Sequence, residues 1–308
     1  MLKTLPIAFL LFLASELASA SMPIPKGLQS DINFWEKIFH TYKPNHCVIH
    51  DKSNLNSIFI VKELPNSPRR RRVAVRKYLK EVKTGLSNLG RGRIARNNLE
   101  RRIVKGTPSY MRNRNYYRSA SHRIRCQRGV SIRSSITKSH KYVGMIKKVL
   151  HRYKLPEELA YLPHLESGFN HKAHSRAGAR GIWQLMKFNA KNLGLRVSRW
   201  NDQRTSPYKS TVAAAKLLTQ LKRNHKQWPL AVTAYNYGTN GMRRAIKKYG
   251  YDYMKIRKKH KTRIFGFAVK NYYPSFLAAK NVTKRIAGET PKAGAIAKGS
   301  SSKGRFSL

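Results

Sequence analysis

Residues 162–186, LPHLESGFNHKAHSRAGARGIWQLM, contain a single carboxylate, Glu166, and the next acidic residue along the chain is Asp202. Leucines at helical spacing around it predict a helix over residues 156–167. Pro163 lies inside that pattern and is expected to kink the helix, because proline lacks the amide hydrogen that the turn needs. The stretch therefore predicts a lone acid in the last turn of a short, irregular helix.

Segments on both sides of this stretch also begin and end in ways that are typical of helices. Ser206 and Pro207 open a segment rich in Ala and Leu, and Gly238 and Gly250 end two later segments. Strand-like alternation is not convincing anywhere in this part of the sequence. We therefore expect residues 139–285 to form a compact domain that is mainly α.

The position of Glu166 predicts a raised pKa for its carboxyl group. The carboxylate would lie at the negative end of a helix dipole, just before Gly168, with Leu165 and Phe169 as apolar neighbours. A carboxyl group that keeps its proton at neutral pH can act as a general acid. The alternative is a helix-end glutamate that pairs with one of the many arginines of the chain.

Four motifs in this order carry a family resemblance. They are ELAYLPHLESGFN (158–170), SRAGARGIWQLM (175–186), WPLAVTAYNYG (228–238) and NYYPSFLAAK (271–280). Together they resemble the SLT-type lytic murein transglycosylases, above all the membrane-bound type D group, over residues 140–285. The resemblance implies a lysozyme-like catalytic domain, similar to that of goose-type lysozymes. The composition of the residues before it indicates a basic and partly helical amino-terminal region.

The resemblance also implies a reaction that needs only one carboxylate. Glu166 would protonate the oxygen of the β-1,4 bond between N-acetylmuramic acid and N-acetylglucosamine in peptidoglycan. It would then take the proton of the muramyl 6-hydroxyl, which closes onto the anomeric carbon to give a 1,6-anhydromuramyl end. The acetamido group of the substrate would stabilise the positive carbon. Most glycosidases need a second acid, and Asp202 is either a loop cap or that acid in a hydrolytic muramidase of the same fold.

The other expected site residues come from the same motifs. By the resemblance, Ser167 orients Glu166, and Gln184, Tyr235 and Asn236 line the glycan-binding subsites. Their amide and aromatic groups suit sugar rings, which have apolar faces and polar rims. The sequence has no metal-type Cys/His spacing, and the resemblance implies no cofactor and no metal.

The fourth motif should supply one tyrosine of the site. Alignment on Asn271 and Pro274 favours Tyr272. Many relatives have a Glu-Thr-Arg run before this motif, whereas residues 268–270 of this chain are Ala-Val-Lys. This departure leaves Tyr273 as an open alternative.

The two ends of the chain carry their own signals. The first 20 residues have the layout of a secretory signal, with Lys3, an apolar run over residues 5–14 and Ala-Ser-Ala at 18–20. We expect cleavage after residue 20 and a location in the periplasm or cell envelope. The apolar run is short for a membrane span, although an uncleaved signal could still anchor the protein. The Gly/Ser/Lys-rich tail over residues 286–308 is expected to be flexible.

The chain is strongly basic, with 64 Lys and Arg residues against 13 Asp and Glu and a formal net charge of +51. Such a charge favours polyanions. Besides peptidoglycan strands, the expected partners are anionic envelope polymers or a membrane surface, reached through the basic region. Nucleic acid is not expected as a partner of a secreted protein. The rival hypothesis is a basic cell-wall or nucleic-acid binding protein with a degenerate enzyme domain.

Residues 21–138 form the basic region, whose fold the sequence does not define. INFWEKIF (32–39) has apolar residues at helical spacing, and residues 73–86 outline a basic amphipathic helix. HCVIHDK and SIFIVKEL resemble short extended runs. Cys47 and Cys126 either pair in an oxidising compartment or remain thiols.

Overall fold

The computed structural model describes residues 22–289, and most of these residues are helical. The helices of this part of the chain are α1 Gln29–Glu36, α2 Pro68–Gly90, α3 Asn98–Lys105, α4 Arg114–Ala120, α5 Arg133–Ser139, α6 Val143–Arg152, α7 Leu162–Glu166, α8 Lys187–Asn192, α9 Pro207–His225, α10 Trp228–Tyr237, α11 Thr239–Tyr249, α12 Tyr253–Lys259, α13 Phe267–Lys270 and α14 Tyr272–Glu289. A π-helical turn follows α1 at Lys37–Thr41, and 3-10 helices lie at Ser109–Met111, Glu157–Tyr161 and Gln203–Thr205. The strands are β1 His46–Asp51, β2 Asn54–Glu63 and β3 Ile124–Arg128. The prediction of a mainly α fold is confirmed.

The larger hydrophobic core lies among α6, α9, α10 and α14. Helix α9 begins as the sequence predicts, because the Ser206 hydroxyl accepts a hydrogen bond from the Lys209 amide and Pro207 occupies the first turn. Helix α10 ends at Gly238, whose φ of 90° lies in the left-handed region that glycine adopts without strain. These two helices pack side by side and bring the third motif into the middle of the domain.

Helix α1 packs into this larger core, although the sequence places it in the separate basic region. Its Asp31 carboxylate pairs with Arg257 at 2.6 Å. At its end, the Glu36 carboxylate accepts hydrogen bonds from Asn281 at 2.8 Å and from Arg285 at 2.9 Å on α14. The structure therefore differs from the predicted division at residue 139, because α1 completes the core of the helical domain.

A second, smaller core joins the sheet to α2, α3 and α4. Strand β1 is central and antiparallel to both β2 and β3. Cys47 on β1 forms a disulfide bond with Cys126 on β3, which settles the open question in favour of the pair. Glu100 at the start of α3 is buried beneath α2 and accepts a hydrogen bond from the Asn88 side chain at 2.9 Å.

Helix α2 has the predicted amphipathic character, since Ala74, Val75, Tyr78 and Leu79 pack half-buried against the smaller core. Val82 and Leu86 are fully buried in the smaller core, whereas Val73 is 60% exposed. The first turn of α2, with Arg69, Arg70 and Arg72, and the Val73 side chain face solvent.

Two predictions concern the ends of the chain. The expected secretory signal at residues 1–20 lies outside the described residues, and so do residues 290–308 of the expected tail. Helix α14 continues to Glu289, so residues 286–289 belong to the last helix instead of the tail. Within residues 22–289, no helix is both long enough and apolar enough to cross a bilayer.

Candidate active site

The backbone around Glu166 is irregular in the way that Pro163 predicts. Instead of one helix over residues 156–167, the chain forms a 3-10 helix and then α7, which begins at Leu162 with Pro163 in its first turn. After Glu166 the chain reverses, because Gly168 and Phe169 both have a φ of 58°. The Phe169 amide donates to the Pro163 carbonyl and closes this turn.

Glu166 is half-buried and lies against the amino-terminal end of α14. The Tyr272 hydroxyl donates a hydrogen bond to Glu166 Oε1. Burial raises the pKa of the Glu166 carboxyl group to about 7, and the bond from Tyr272 opposes this effect. No ion pair in residues 22–289 includes Glu166, so the alternative of a glutamate paired with arginine is wrong here.

Two tyrosines share the electrostatic environment of Glu166. Tyr235, at the end of α10, donates a hydrogen bond from its hydroxyl to the Trp183 carbonyl at 2.7 Å. Burial and the nearby Glu166 carboxylate raise the pKa of Tyr235 well above its ordinary value. The same two causes raise the pKa of Tyr272. The structure therefore brings together Glu166, Tyr235 and Tyr272 from three distant motifs.

Tyr273 lies elsewhere, and its prediction as a substrate-binding residue is corrected. Its side chain is fully buried, and its hydroxyl donates to the Pro23 carbonyl at 2.7 Å. Consecutive residues of a helix point in directions about 100° apart, so α14 directs Tyr272 towards Glu166 and Tyr273 into the core.

The remaining expected residues occupy the segment that follows α7 and the end of α10. The Ser167 hydroxyl donates to the Ile182 carbonyl at 2.9 Å, so it ties the turn after Glu166 to the second motif. Gln184 has a backbone φ of 47°, and its side-chain amide donates a hydrogen bond to the Gly181 carbonyl at 3.0 Å. Asn236 is exposed beside half-buried Tyr235.

Asp202 holds the loop of the second motif in place. Its carboxylate receives Arg180 at 2.9 Å and Arg204 at 2.7 Å, and it caps the 3-10 helix that follows. Arg204 in turn donates to the Gly178 and Leu185 carbonyls. The hydrogen bonds that Asp202 accepts from Arg204 and Arg180 lower the pKa of its carboxyl group to about 2. The prediction that Asp202 caps a loop is confirmed.

His164 is a residue that sequence reasoning missed. It is buried two residues before Glu166, where its Nδ1 lies 2.7 Å from the Ser135 hydroxyl and its Nε2 lies 3.3 Å from the Thr283 hydroxyl. Burial lowers its pKa to about 4, so the ring is neutral at pH 7. His164 thereby joins α7 to α5 and α14. The contacts join residues 29 and 119 positions apart, so no local pattern could reveal them.

Comparisons with known proteins found relatives of part of this chain. Residues 144–256 match the Transglycosylase SLT domain family. The chain is 31% identical over 147 residues to membrane-bound lytic murein transglycosylase D of Escherichia coli K12, covering 47% of this chain and 29% of that protein. It is 38% identical over 106 residues to a putative tributyltin chloride resistance protein of Alteromonas sp. strain M-1, covering 34% of this chain and 51% of that protein.

A solved structure was also found, that of the 70 kDa soluble lytic transglycosylase Slt70 of Escherichia coli, at 14% identity and a TM-score of 0.40. It covers 77% of this chain and 32% of Slt70. The chain thus spans about a third to a half of the length of the relatives it matches. Glu166 and Tyr235 lie inside the matched family residues, whereas Tyr272 lies beyond them. Residues 144–256 of this chain are therefore a Transglycosylase SLT domain.

Proposed function

We propose that this protein is a peptidoglycan lytic transglycosylase in which Glu166 is the single general acid and base. The observation that carries the proposal is the state of Glu166. Its carboxyl group is half-buried, is free of ion pairs within residues 22–289, and has a pKa raised to about 7. At neutral pH a large share of such groups holds a proton that a leaving group can take.

In the first step, Glu166 gives its proton to the oxygen of the β-1,4 glycosidic bond as that bond to the muramyl anomeric carbon breaks. Because Tyr272 donates to Oε1, the transferable proton belongs on the other oxygen, Oε2. The acetamido group of the substrate stabilises the positive carbon. A second carboxylate is then unnecessary, in contrast to glycosidases that work with two.

In the second step, the Glu166 carboxylate takes the proton of the muramyl 6-hydroxyl, and that oxygen bonds to the anomeric carbon. The product has a 1,6-anhydromuramyl end, and Glu166 is protonated again for the next cleavage. Tyr272 supports the first step instead, because its hydrogen bond favours the ionised carboxylate that loss of the proton produces.

We assign the glycan-binding subsites to the groups around Glu166. Tyr235 and exposed Asn236 end α10, and Gln184 lies on the segment whose Trp183 carbonyl accepts the Tyr235 hydroxyl. The Ser167 hydroxyl donates to the Ile182 carbonyl, so Ser167 positions the turn that carries Glu166.

The second candidate function is a hydrolytic muramidase that uses Asp202 as a partner acid. The contacts of Asp202 with Arg180 and Arg204 weigh against it, because a carboxylate with a pKa of about 2 is a poor base. Analysis of the ends released from digested sacculi tests both candidates. Anhydromuramyl ends support the transglycosylase, reducing muramic ends support the hydrolase, and the absence of release contradicts both.

The activity test needs a variant that keeps the fold. Glu166→Gln retains the shape and the hydrogen-bonding capacity of the side chain but cannot transfer a proton. We expect cleavage of sacculi to fall by a factor of ~10²–10⁴ or more, while binding to sacculi is unchanged. Wild-type turnover in this variant would remove Glu166 from the mechanism.

We further propose a cell-envelope location, with peptidoglycan strands as the substrate and a basic surface that keeps the protein on anionic envelope material. The expected secretory signal and the net charge of +51 support this location. A +51 charge attracts any polyanion, so the charge alone does not identify the material.

A further inference from the structure

The segment after α2 presents an exposed isoleucine among arginines. Residues 91–96 read Arg-Gly-Arg-Ile-Ala-Arg, and Ile94 is 85% exposed. The side chains of Arg91, Arg93 and Arg96 are exposed beside it. Single exposed apolar residues are common on protein surfaces and need no explanation. Ile94 is the most exposed isoleucine of residues 22–289, and a dense group of cations surrounds it.

A second segment adds to this group of cations. Gly92 has a φ of 82°, and a Cβ atom there would lie 2.5 Å from the Arg114 guanidinium, so Arg114 packs directly over the glycine. We call Ile94 with Arg91, Arg93, Arg96 and Arg114 the Ile94 tip.

The Ile94 tip is held out from the protein by a defined backbone. The Arg91 amide donates to the Ser87 carbonyl at 3.1 Å, and the Arg93 amide donates to the Asn88 carbonyl at 3.2 Å. On the other side, half-buried Ala95 packs against the smaller core. A fixed backbone with an outward isoleucine needs little ordering when it inserts into another phase, because the loop is already ordered.

The four arginines of the tip carry more positive charge than the one nearby carboxylate, Glu100, offsets through its Coulombic attraction to Arg96. None of these four arginines takes part in an ion pair in the described part of the chain. The nearest acid in sequence, Glu100, is buried, and it accepts the Arg96 amide at 2.9 Å through its other oxygen. Lys83, two turns before the end of α2, is a further exposed cation. The local field is therefore strongly positive.

We propose that the Ile94 tip docks this protein on the surface of an anionic phospholipid bilayer. Ile94 enters the boundary between head groups and acyl chains, and the arginines bind lipid phosphates. A soluble polyanion would satisfy the arginines but gain nothing from Ile94. A neutral membrane would accept Ile94 but leave the arginines without partners. Only an anionic bilayer uses both features.

The first test measures binding of the chain from residue 21 onward, which includes every described residue, to phosphatidylglycerol/phosphatidylcholine vesicles by co-sedimentation. Starting at residue 21 removes the apolar run of residues 5–14, which could enter vesicles by itself. Ile94→Asn should weaken binding about tenfold. The matched control is Ile24→Asn, because Ile24 is 50% exposed and residues 22–28 around it contain a single cation, Lys26. It should change binding less than twofold, and equal effects of the two variants would overturn the proposal.

The second test separates local charge from total charge. Arg93→Gln with Arg96→Gln should weaken vesicle binding by roughly 25-fold, at about fivefold for each cation near an anionic surface. Lys209→Gln with Lys216→Gln removes the same charge from exposed positions on α9 and should have a much smaller effect. Equal losses would assign the binding to net charge and overturn the proposal.

Two further ligands complete the design. Pure phosphatidylcholine vesicles should bind weakly, and inorganic polyphosphate should bind the wild type and Ile94→Asn equally. Binding of pure phosphatidylcholine as strong as that of the anionic vesicles would contradict the role of the arginines. If the anionic vesicles also failed to distinguish the wild type from Ile94→Asn, the surface would be a general polyanion site and the bilayer proposal would fail. Cleavage of sacculi by Glu166 should persist in all these variants, so a failure here leaves the proposed activity untouched.

Discussion

The hydroxyl of Tyr272 donates a hydrogen bond to Glu166 Oε1 although the two residues are 106 positions apart. This bond connects the last residue of α7 with the first residue of α14. It favours the ionised carboxylate, whereas burial favours the protonated form, and burial is the larger effect. The pKa of about 7 therefore results from two opposed causes that substitutions can separate.

Tyr272→Phe should raise the pKa of Glu166 further, because it removes the effect that lowers it. The alkaline limb of the pH–rate profile should move to higher pH. The rate at the optimum should fall by about tenfold, the order expected for one hydrogen bond to a charged group. The measurement is sacculus digestion from pH 5 to 9.

Tyr273→Phe is the matched control, since it removes the neighbouring hydroxyl and its bond to the Pro23 carbonyl. We expect a loss of about 1 kcal/mol in the free energy of unfolding and an unchanged pH profile. A shift of the profile in Tyr273→Phe but not in Tyr272→Phe would reverse our assignment of the two tyrosines.

Glu166→Gln should stabilise the protein at alkaline pH. The ordinary pKa of 4.5 applies to the unfolded chain and about 7 to the folded chain. Between these values the folded state holds a proton that the unfolded state lacks, so wild-type stability falls as pH rises from 4.5 to 7. At pH 8 the variant should be more stable by up to ~3 kcal/mol. Screening by solvent reduces this difference, because Glu166 is partly exposed. Urea unfolding at pH 4 and pH 8 measures the difference, which should vanish at the lower pH.

The helices and the acid could be predicted from the sequence because they depend on local patterns. Ser206-Pro207 begins α9 and Gly238 ends α10 through contacts within a few residues. The first motif identifies Glu166 as the candidate acid. Its position at a helix end among apolar neighbours predicts its raised pKa. Physical reasoning of this kind needs no knowledge of distant parts of the chain.

Contacts between distant residues could not be predicted in the same way. Glu36 binds Arg285 across 249 residues, and that contact places α1 in the larger core. The choice between Tyr272 and Tyr273 depended on the rotation of α14 about its axis, which packing of its buried face determines. Pairing of Cys47 with Cys126 required the register of β1 with β3.

Loss of the disulfide should destabilise the sheet and its helices. Cys47 and Cys126 are 79 residues apart, and closing a loop of that length removes conformational freedom from the unfolded chain. Cys47→Ser with Cys126→Ser should lower the free energy of unfolding by about 2–4 kcal/mol, measured by denaturant unfolding. The wild type treated with dithiothreitol should match the variant, and an oxidised wild type no more stable than the variant would refute this role.

Asp202→Asn should destabilise the fold more than it alters the reaction. The substitution leaves Arg204, which is buried, without its charge partner, and this typically costs about 3–5 kcal/mol.

The pKa of Asp202 is lowered from 3.8 to about 2, so its stabilising effect is complete above pH 3.8 and is lost as pH falls through 2. The difference in stability between the variant and the wild type should therefore shrink by about 2 kcal/mol as pH falls from 4 to below 2. Asp252→Asn is the control, because Asp252 is exposed and caps α12 through an oxygen that Asn retains, which predicts a loss well below ~1 kcal/mol at neutral pH. Products of Asp202→Asn should keep their anhydromuramyl ends at temperatures where the variant is folded. A variant with wild-type stability and no turnover would instead make Asp202 the second carboxylate of a hydrolytic enzyme.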